Sequence, residues 1–290
     1  MDRTARPRRS ALYMPGANAR ALEKARTLDA DVLLLDLEDA VAPAAKAEAR
    51  ARVVAALAAG GFGFREKVVR VNGGATPWGA EDLEAVARAG ADAVLLPKVE
   101  SAEEVAAAEA ALFRHGAPDR LSLWAMIETP RGVLRAAEIA AASPRLACLV
   151  AGTSDLVKDL RARHTPGRAE VLAALSLVVL AARAHGLACL DGVHLDLDDE
   201  AGFEAACRQG RDLGFDGKTL IHPKTIAAAN RLFGPAEEEL AAARRIMVAH
   251  AEAESFGRGV VVVDGRLVEA LHVEVARRLL ALAEEIAARG

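Results

Sequence analysis

The stretch "DVLLLDLEDA", residues 31–40, places four apolar residues after Asp31 and then crowds Asp36, Glu38 and Asp39 into four positions. An unbroken apolar run suits a strand covered on both faces, as in a parallel sheet. A strand has no need of carboxylates, and three this close repel one another. The strand must therefore deliver its acids to a place that wants negative charge.

Seven more runs share this character: "ALYMP" (11–15), "KVVRVN" (67–72), "AVLLPK" (93–98), "LSLWAMIE" (121–128), "LACLVAG" (146–152), "ACLDGV" (188–193) and "KTLIHP" (218–223). Helix-length segments such as "PAAKAEARARVVAALAAG" (43–60) and "PWGAEDLEAVARAG" (77–90) lie between them, with Gly60 and Gly90 where helices would end. Eight strand–helix units predict an α/β fold, a (β/α)8 TIM barrel over residues 1–233. A doubly wound sheet is the rival, but no G-x-G-x-x-G follows the first strand. Beyond the eighth unit, 234–257 reads as a helix and 259–270 as a hairpin turning at Asp264-Gly265. A final helix completes a helix–hairpin–helix extension, 234–290, expected to pack on the barrel or on a neighbouring subunit.

Composition narrows the partners. A formal net charge of -4 gives no basic field for nucleic acid, and 3% aromatics leave little for base stacking. No apolar run reaches the roughly 20 residues that span a bilayer, so no membrane partner is expected. The longest, "VLAALSLVVLAA" (171–182), reads as a buried helix. Cys148, Cys189 and Cys207 are odd in number and widely spaced, which reads as reduced thiols in a cytoplasmic protein. "MDRTARPRRS" is basic without an apolar stretch, so it reads as a frayed tail or as arginines for phosphate rather than a secretory signal.

Strand C-terminal ends form the catalytic face of such a barrel. This chain places Asp36, Glu38 and Asp39 there from strand 2, Arg70 and Asn72 from strand 3, and Lys98 and Glu100 from strand 4. Strands 5 to 8 add Glu128, Asp155, Asp191 and His222. Glu128 and Asp155 either share an oxygen-loving Mg2+ or cap the helices that follow them. Arg70 either grips a substrate carboxylate or pairs with a strand-2 acid. Lys98 reads as a Schiff-base lysine or as part of an ion-pair network, and His222 as a general base or a loop-shaping residue. His164, in the basic loop "RARHTPGR", reads as a lid or a solvated surface.

Taken in order, "RRSALYMPGAN", "LLLDLEDAV", "VVRVNG", "VLLPKVES", "AMIETPRG", "LVAGTSDL", "DGV" and "GKTLIHPKTI" resemble the citrate lyase β-subunit-like family, within the HpcH/HpaI aldolases. The resemblance implies a homotrimer or hexamer. It also implies Mg2+-dependent cleavage of a carbon–carbon bond in a 3-hydroxy-carboxyacyl-CoA: malyl-CoA, citramalyl-CoA or citryl-CoA. Thioester hydrolysis, a malate-synthase-like reaction, or action on a carrier-protein thioester are the alternatives. Matched by motif, Glu128 and Asp155 fall on the metal ligands, with Glu128 also near substrate, and Arg70 falls on the substrate-gripping arginine. Glu38 and Asp39, with Asp36, fall on the acidic motif that serves them. Arg9, Arg20 and Lys24, around strand 1, are the candidates for the coenzyme A phosphates. The family's C-terminal hairpin often ends in a catalytic aspartate given to a neighbour's site; "DGRLVEALHV" puts Glu269 there instead.

Overall fold

A computed structural model describes residues 6–255 and 260–289. The first five residues of the basic tail, the expected end of the long helix at 256–257 and the start of the hairpin at 259 lie outside the described residues. Eight parallel strands close into a barrel in chain order. They are β1 (Ser10–Pro15), β2 (Val32–Asp36), β3 (Glu66–Arg70), β4 (Ala93–Leu96), β5 (Ser122–Ile127), β6 (Leu146–Ala151), β7 (Ala188–Asp191) and β8 (Gly217–Leu220). Pairing of Leu12 with Leu220 and of Ala11 with Thr219 closes the ring.

The helices between strands are α1 (Ala19–Ala25), α2 (Lys46–Ala59), α3 (Gly79–Ala87), α4 (Ala102–Arg114), α5 (Pro130–Leu134) and α6 (Ala136–Ala140). They continue with α7 (Thr153–Asp159), α8 (Leu172–Ala184), α9 (Glu200–Leu213) and α10 (Ile226–Phe233). Gly60 closes α2 at φ +68, a conformation that favours glycine. The apolar strand runs are continuous because each strand buries both faces. Ala11, Leu34, Val68, Leu95, Trp124, Met126, Val150 and Leu190 fill the barrel, while Leu33, Leu35, Val69, Val94 and Leu149 join the helices in the outer layer. The alternation has period two, so one parity of every strand points inward. The segment read as a buried helix is α8, and it is not buried all round. Leu175, Val178 and Ala182 face the core, whereas Leu177 and Leu180 are exposed.

Charge plugs the floor, at the strands' N-terminal ends. Arg8 grips Glu66 through Nε at 2.7 Å and Nη2 at 2.9 Å, beneath the Trp124 ring. Arg9 makes two side-chain hydrogen bonds to Asp31, both 2.9 Å. The described part of the basic tail is therefore pinned to the barrel floor and does not fray.

The chain continues through α11 (Glu237–Ser255), the hairpin β9 (Val261–Val263) and β10 (Arg266–Val268), and α12 (Ala270–Ala287). Asp264 and Gly265 take φ +52 and +74, as a two-residue hairpin turn requires. α11 and α12 pack chiefly on each other. At the far end of α12, Arg289 Nη1 reaches back to Asp31 at 2.8 Å. No described helix is long and apolar enough to cross a membrane. Cys148, Cys189 and Cys207 are free and buried.

Arg8→Met leaves the buried Glu66 carboxylate short of its main partner. The expected loss is about 3–5 kcal/mol, the usual cost of breaking one side of a buried pair. Urea unfolding should show a lower midpoint with an unchanged slope.

Candidate active site

Inward parity decides what the mouth contains. Tyr13, Asp36, Arg70 and Glu128 each stand two residues beyond an inward apolar residue: Ala11, Leu34, Val68 and Met126. At the top of β2 and β3, Asp36 and Arg70 are register partners. Both Asp36 oxygens accept from Arg70, at 2.7 Å from Nε and 2.7 Å from Nη2. Asp36 also accepts from the backbone N–H of Glu38 at 2.9 Å and of Ala40 at 3.1 Å, which shapes the acidic turn. The remaining guanidinium nitrogen, Nη1, faces Glu38 at 2.9 Å and Asp39 at 3.3 Å. Tyr13 lays its ring against the guanidinium, 4.7 Å away. Burial works against the charge on Arg70, but its bonds to Asp36 outweigh it and hold the arginine protonated.

Glu128 follows β5 and is 3% exposed. Its Oε1 accepts from the backbone N–H of Lys98 at 2.8 Å. The side chain lies across Gly152, where an added Cβ would clash with Glu128 Cβ and Oε2. Asp155 sits in the first turn of α7, with Oδ1 3.1 Å from Lys158 Nζ and Oδ2 3.6 Å from Lys98 Nζ. Lys98 Nζ also reaches Glu38 Oε1 at 2.7 Å. Capping does not explain either acid. Thr129 Oγ1 caps α5, accepting from Gly132 N–H at 3.0 Å, and Gly152 precedes α7.

The two acids are driven apart in pKa. Burial, then the nearby Glu38 and Asp155 charges, push Glu128 up to about 7 against the pull of Lys98. Asp155 is more open; partial burial raises it, but Lys158 and Lys98 outweigh that and hold it below the usual carboxylate range. Burial also lifts Glu38 in spite of Arg70 and Lys98. Glu38 Oε2 lies within ion-pair distance of Arg70 yet is out of line for a hydrogen bond to any described group. Lys98 is held protonated because Glu38 overcomes its burial. A Schiff-base lysine needs the opposite shift, so Lys98 belongs to the ion-pair network.

Several predicted residues stand elsewhere. Arg9 is on the floor, bound by Asp31, at the opposite end of the barrel from the mouth; that corrects its placement beside a coenzyme phosphate. Arg20 and Lys24 are exposed on α1. Glu269 is exposed at the start of α12, where its own N–H donates to His272 Nδ1 at 3.0 Å, and it does not join the mouth residues of its own chain. Asp191 points outward because Leu190 takes the inward parity of β7. It pairs with Lys218 at 2.8 Å and Arg168 at 2.7 Å beneath α9. Asn72 turns away to Asp82 on α3. Glu100 lies 3.3 Å from Arg131, and His222 Nδ1 accepts from the N–H of Lys224, so it shapes the loop. His164 is exposed. Sequence reading missed Tyr13, and it placed Gly152 at the end of strand 6 without its role in seating Glu128. The inward parity of "ALYMP" and the glycine at the end of "LACLVAG" were the available signals.

Residues 9–223, which span all eight strands and the mouth, match the model of the HpcH/HpaI aldolase/citrate lyase family. The chain belongs to this family. Among its members, the (3S)-malyl-CoA thioesterase of Cereibacter sphaeroides is 52% identical over 288 residues, covering 99% of each chain. The citrate lyase subunit beta of Escherichia coli is 40% identical over 288 residues, covering 98% of this chain and 95% of its own. The structure of CitE from Mycobacterium tuberculosis in complex with magnesium, acetoacetate and coenzyme A superposes with a TM-score of 0.76 at 34% identity, over 97% of this chain and 99% of that one. That superposition spans the hairpin arm as well as the barrel.

In the chelated protein the raised Glu128 pKa has a defined pH signature. The folded state binds this proton more tightly than the unfolded state, so the contribution is complete below about 4.5 and disappears as pH rises through about 7. The melting temperature of wild type minus that of Glu128→Gln, both in chelator, should fall across that window; a flat difference contradicts the assignment.

Proposed function

We propose that the mouth holds one Mg2+ between Glu128 and Asp155 and acts on a carboxylate-bearing 3-hydroxyacyl-CoA of the malyl-CoA type. The observation that carries this reading is that one residue, Lys98, touches both carboxylates, Glu128 through its backbone N–H and Asp155 through its ammonium, beside an arginine locked in place by Asp36. The donor set fits the ion. Among the described residues no three His, Cys, Asp or Glu side chains gather as a metal cage. A cation here takes two protein carboxylates and completes its shell with water and substrate oxygens, which is the habit of Mg2+. Glu128 is a buried acid whose pKa burial and the neighbouring Glu38 and Asp155 charges raise to about 7, so a cation beside it would favour its charged form.

When bound, Mg2+ supplies Lewis-acid stabilisation of negative charge developing on a substrate oxygen. The residues of the chain do the rest. Arg70, with Asp36 occupying two of its nitrogens, offers the Nη1 side to a substrate carboxylate, as a fixed electrostatic clamp. Glu38, lifted by burial and with Oε2 short of a hydrogen bond, is placed to hold a proton at the mouth, and Asp39 lines the same edge.

Thioester hydrolysis is the reaction that the 52% identical relative supports. Water oxygen bonds the thioester carbon, the C–S bond breaks with its electron pair on sulfur, and sulfur takes a proton, giving malate and free coenzyme A. Carbon–carbon cleavage is the second reading, favoured by the intact Arg70, Glu128 and Asp155 set and by the citrate lyase relative. There the hydroxyl loses its proton, the C–C electron pair passes to the acyl-CoA as an enolate, and the enolate takes a proton. Glu269, on an exposed arm, can reach a mouth only in another copy, as in the expected homotrimer or hexamer. A glutamate in place of the family aspartate keeps a carboxylic acid there, with one methylene of extra reach, and so serves either reaction. A cytoplasmic setting suits either reaction.

Incubation with malyl-CoA, with and without Mg2+, separates the readings. Free coenzyme A and malate mark hydrolysis, glyoxylate marks cleavage, and no Mg2+-dependent consumption removes both. Glu128→Ala and Asp155→Ala should each abolish Mg2+-dependent turnover with the fold intact by circular dichroism. Gly152→Ala should displace Glu128 and lower turnover at least about tenfold, an effect of positioning alone.

A further inference from the structure

Lys98 holds a backbone conformation that side chains rarely take. Its φ is +50, one of four non-glycine residues with positive φ among those described. The turn serves two ends at once. It aims the Lys98 N–H at Glu128 Oε1, 2.8 Å away, and sends the ammonium over the mouth to Glu38 Oε1 at 2.7 Å, Asp155 Oδ2 at 3.6 Å and Asp39 Oδ1 at 3.9 Å. The other cations facing these acids are Arg70, 2.9 Å from Glu38 and tied to Asp36, and Lys158, 3.1 Å from the other oxygen of Asp155. Lys98 is the one of the three that touches both the strand-2 acids and Asp155. Its side chain is 42% exposed, so it has room to move.

The geometry points to Lys98 as the resident counter-cation of the divalent site: its ammonium neutralises Asp155 in the resting protein and withdraws to Glu38 and Asp39 when the ion arrives. This rests on the reading that Glu128 and Asp155 hold the ion. An ammonium and a divalent cation cannot share one carboxylate without strong like-charge repulsion. Lys98 therefore offsets part of the negative charge on Glu38, Asp39 and Asp155, and it sets the affinity for Mg2+ low in the absence of an anionic substrate. A purely structural lysine predicts the reverse, because removing an anchor loosens the acids and weakens the metal.

The test is Mg2+ binding by titration calorimetry, with Mg2+-induced thermal stabilisation as a second readout. Lys98→Met should bind Mg2+ about tenfold tighter than wild type, a typical size for one coupled charge. Lys98→Arg, which keeps the charge, should stay near wild type. Lys98→Gly is the second neutral variant; it suits φ +50, keeps the N–H to Glu128 and deletes the whole side chain with its ammonium, so it too should bind more tightly. Lys158→Met, at a side chain 69% exposed, should change the affinity less than Lys98→Met does. Equal or weaker binding in both neutral Lys98 variants overturns the proposal, as does an equal gain in Lys158→Met, which would mark a diffuse field effect. Wild type that binds Mg2+ through Glu128 and Asp155, shown by loss in Glu128→Gln and Asp155→Asn, with no gain at Lys98, sinks this inference and leaves the functional reading standing. If neither wild type nor any Lys98 variant takes up Mg2+, both fail.

Discussion

Asp36 and Arg70 meet at the top of neighbouring strands, both buried, with two hydrogen bonds of 2.7 Å between them. Charged groups out of water cost several kcal/mol each unless matched closely, and removing one partner typically costs about 3–5 kcal/mol. The bidentate geometry meets that demand and leaves the guanidinium no rotational choice. Everything at the mouth takes its bearings from this pair. Asp36 bends the following turn so that Glu38 and Asp39 come back toward Arg70, and Glu38 in turn anchors Lys98. Lys98 then presents its backbone to Glu128 and its ammonium to Asp155. The network runs from β2 to α7 without a break.

The same network explains the division of labour between the two proposed ligands. Glu128 is enclosed, lying over Gly152, so its charge has little water to support it. Asp155 sits at the rim with two lysines and stays ionised readily. If the two acids hold Mg2+ as proposed, the cation would meet Asp155 already charged and Glu128 less so, and two protein carboxylates would leave the other coordination positions to water and substrate.

Opposite ends of the barrel use similar chemistry for different purposes. At the floor, Arg8 holds Glu66 and Arg9 holds Asp31 through two side-chain hydrogen bonds each, and Arg289, just past α12, joins Asp31. At the mouth, the charges are paired but left incomplete: Glu38 Oε2 lacks a hydrogen bond and the Nη1 edge of Arg70 is shared among acids. Incomplete pairing near solvent is what a ligand can exploit. Arg9, adjacent to strand 1 in sequence, is taken up by Asp31 at the floor, away from that edge.

The sequence by itself determined the barrel, because eight apolar runs covered on both faces and separated by helices have few other ways to bury themselves. It also determined that Asp36, Arg70, Glu128 and Asp155 end strands or begin the helices after them, and the hairpin turn at Asp264-Gly265 was legible for the same local reason. What it left open was direction. Continuous apolar runs hide parity, so Asp191, one residue past the inward Leu190, was expected at the mouth but faces the helices, while Asn72, beyond the end of β3, turns to Asp82 on α3. Long-range pairing was equally hidden: nothing local says that Lys98 reaches Glu38, sixty residues earlier, or that Gly152 exists to make room for Glu128. Only the closed ring of strands decides those contacts, since closure alone brings residues distant in the chain to one rim and fixes which of their faces look inward.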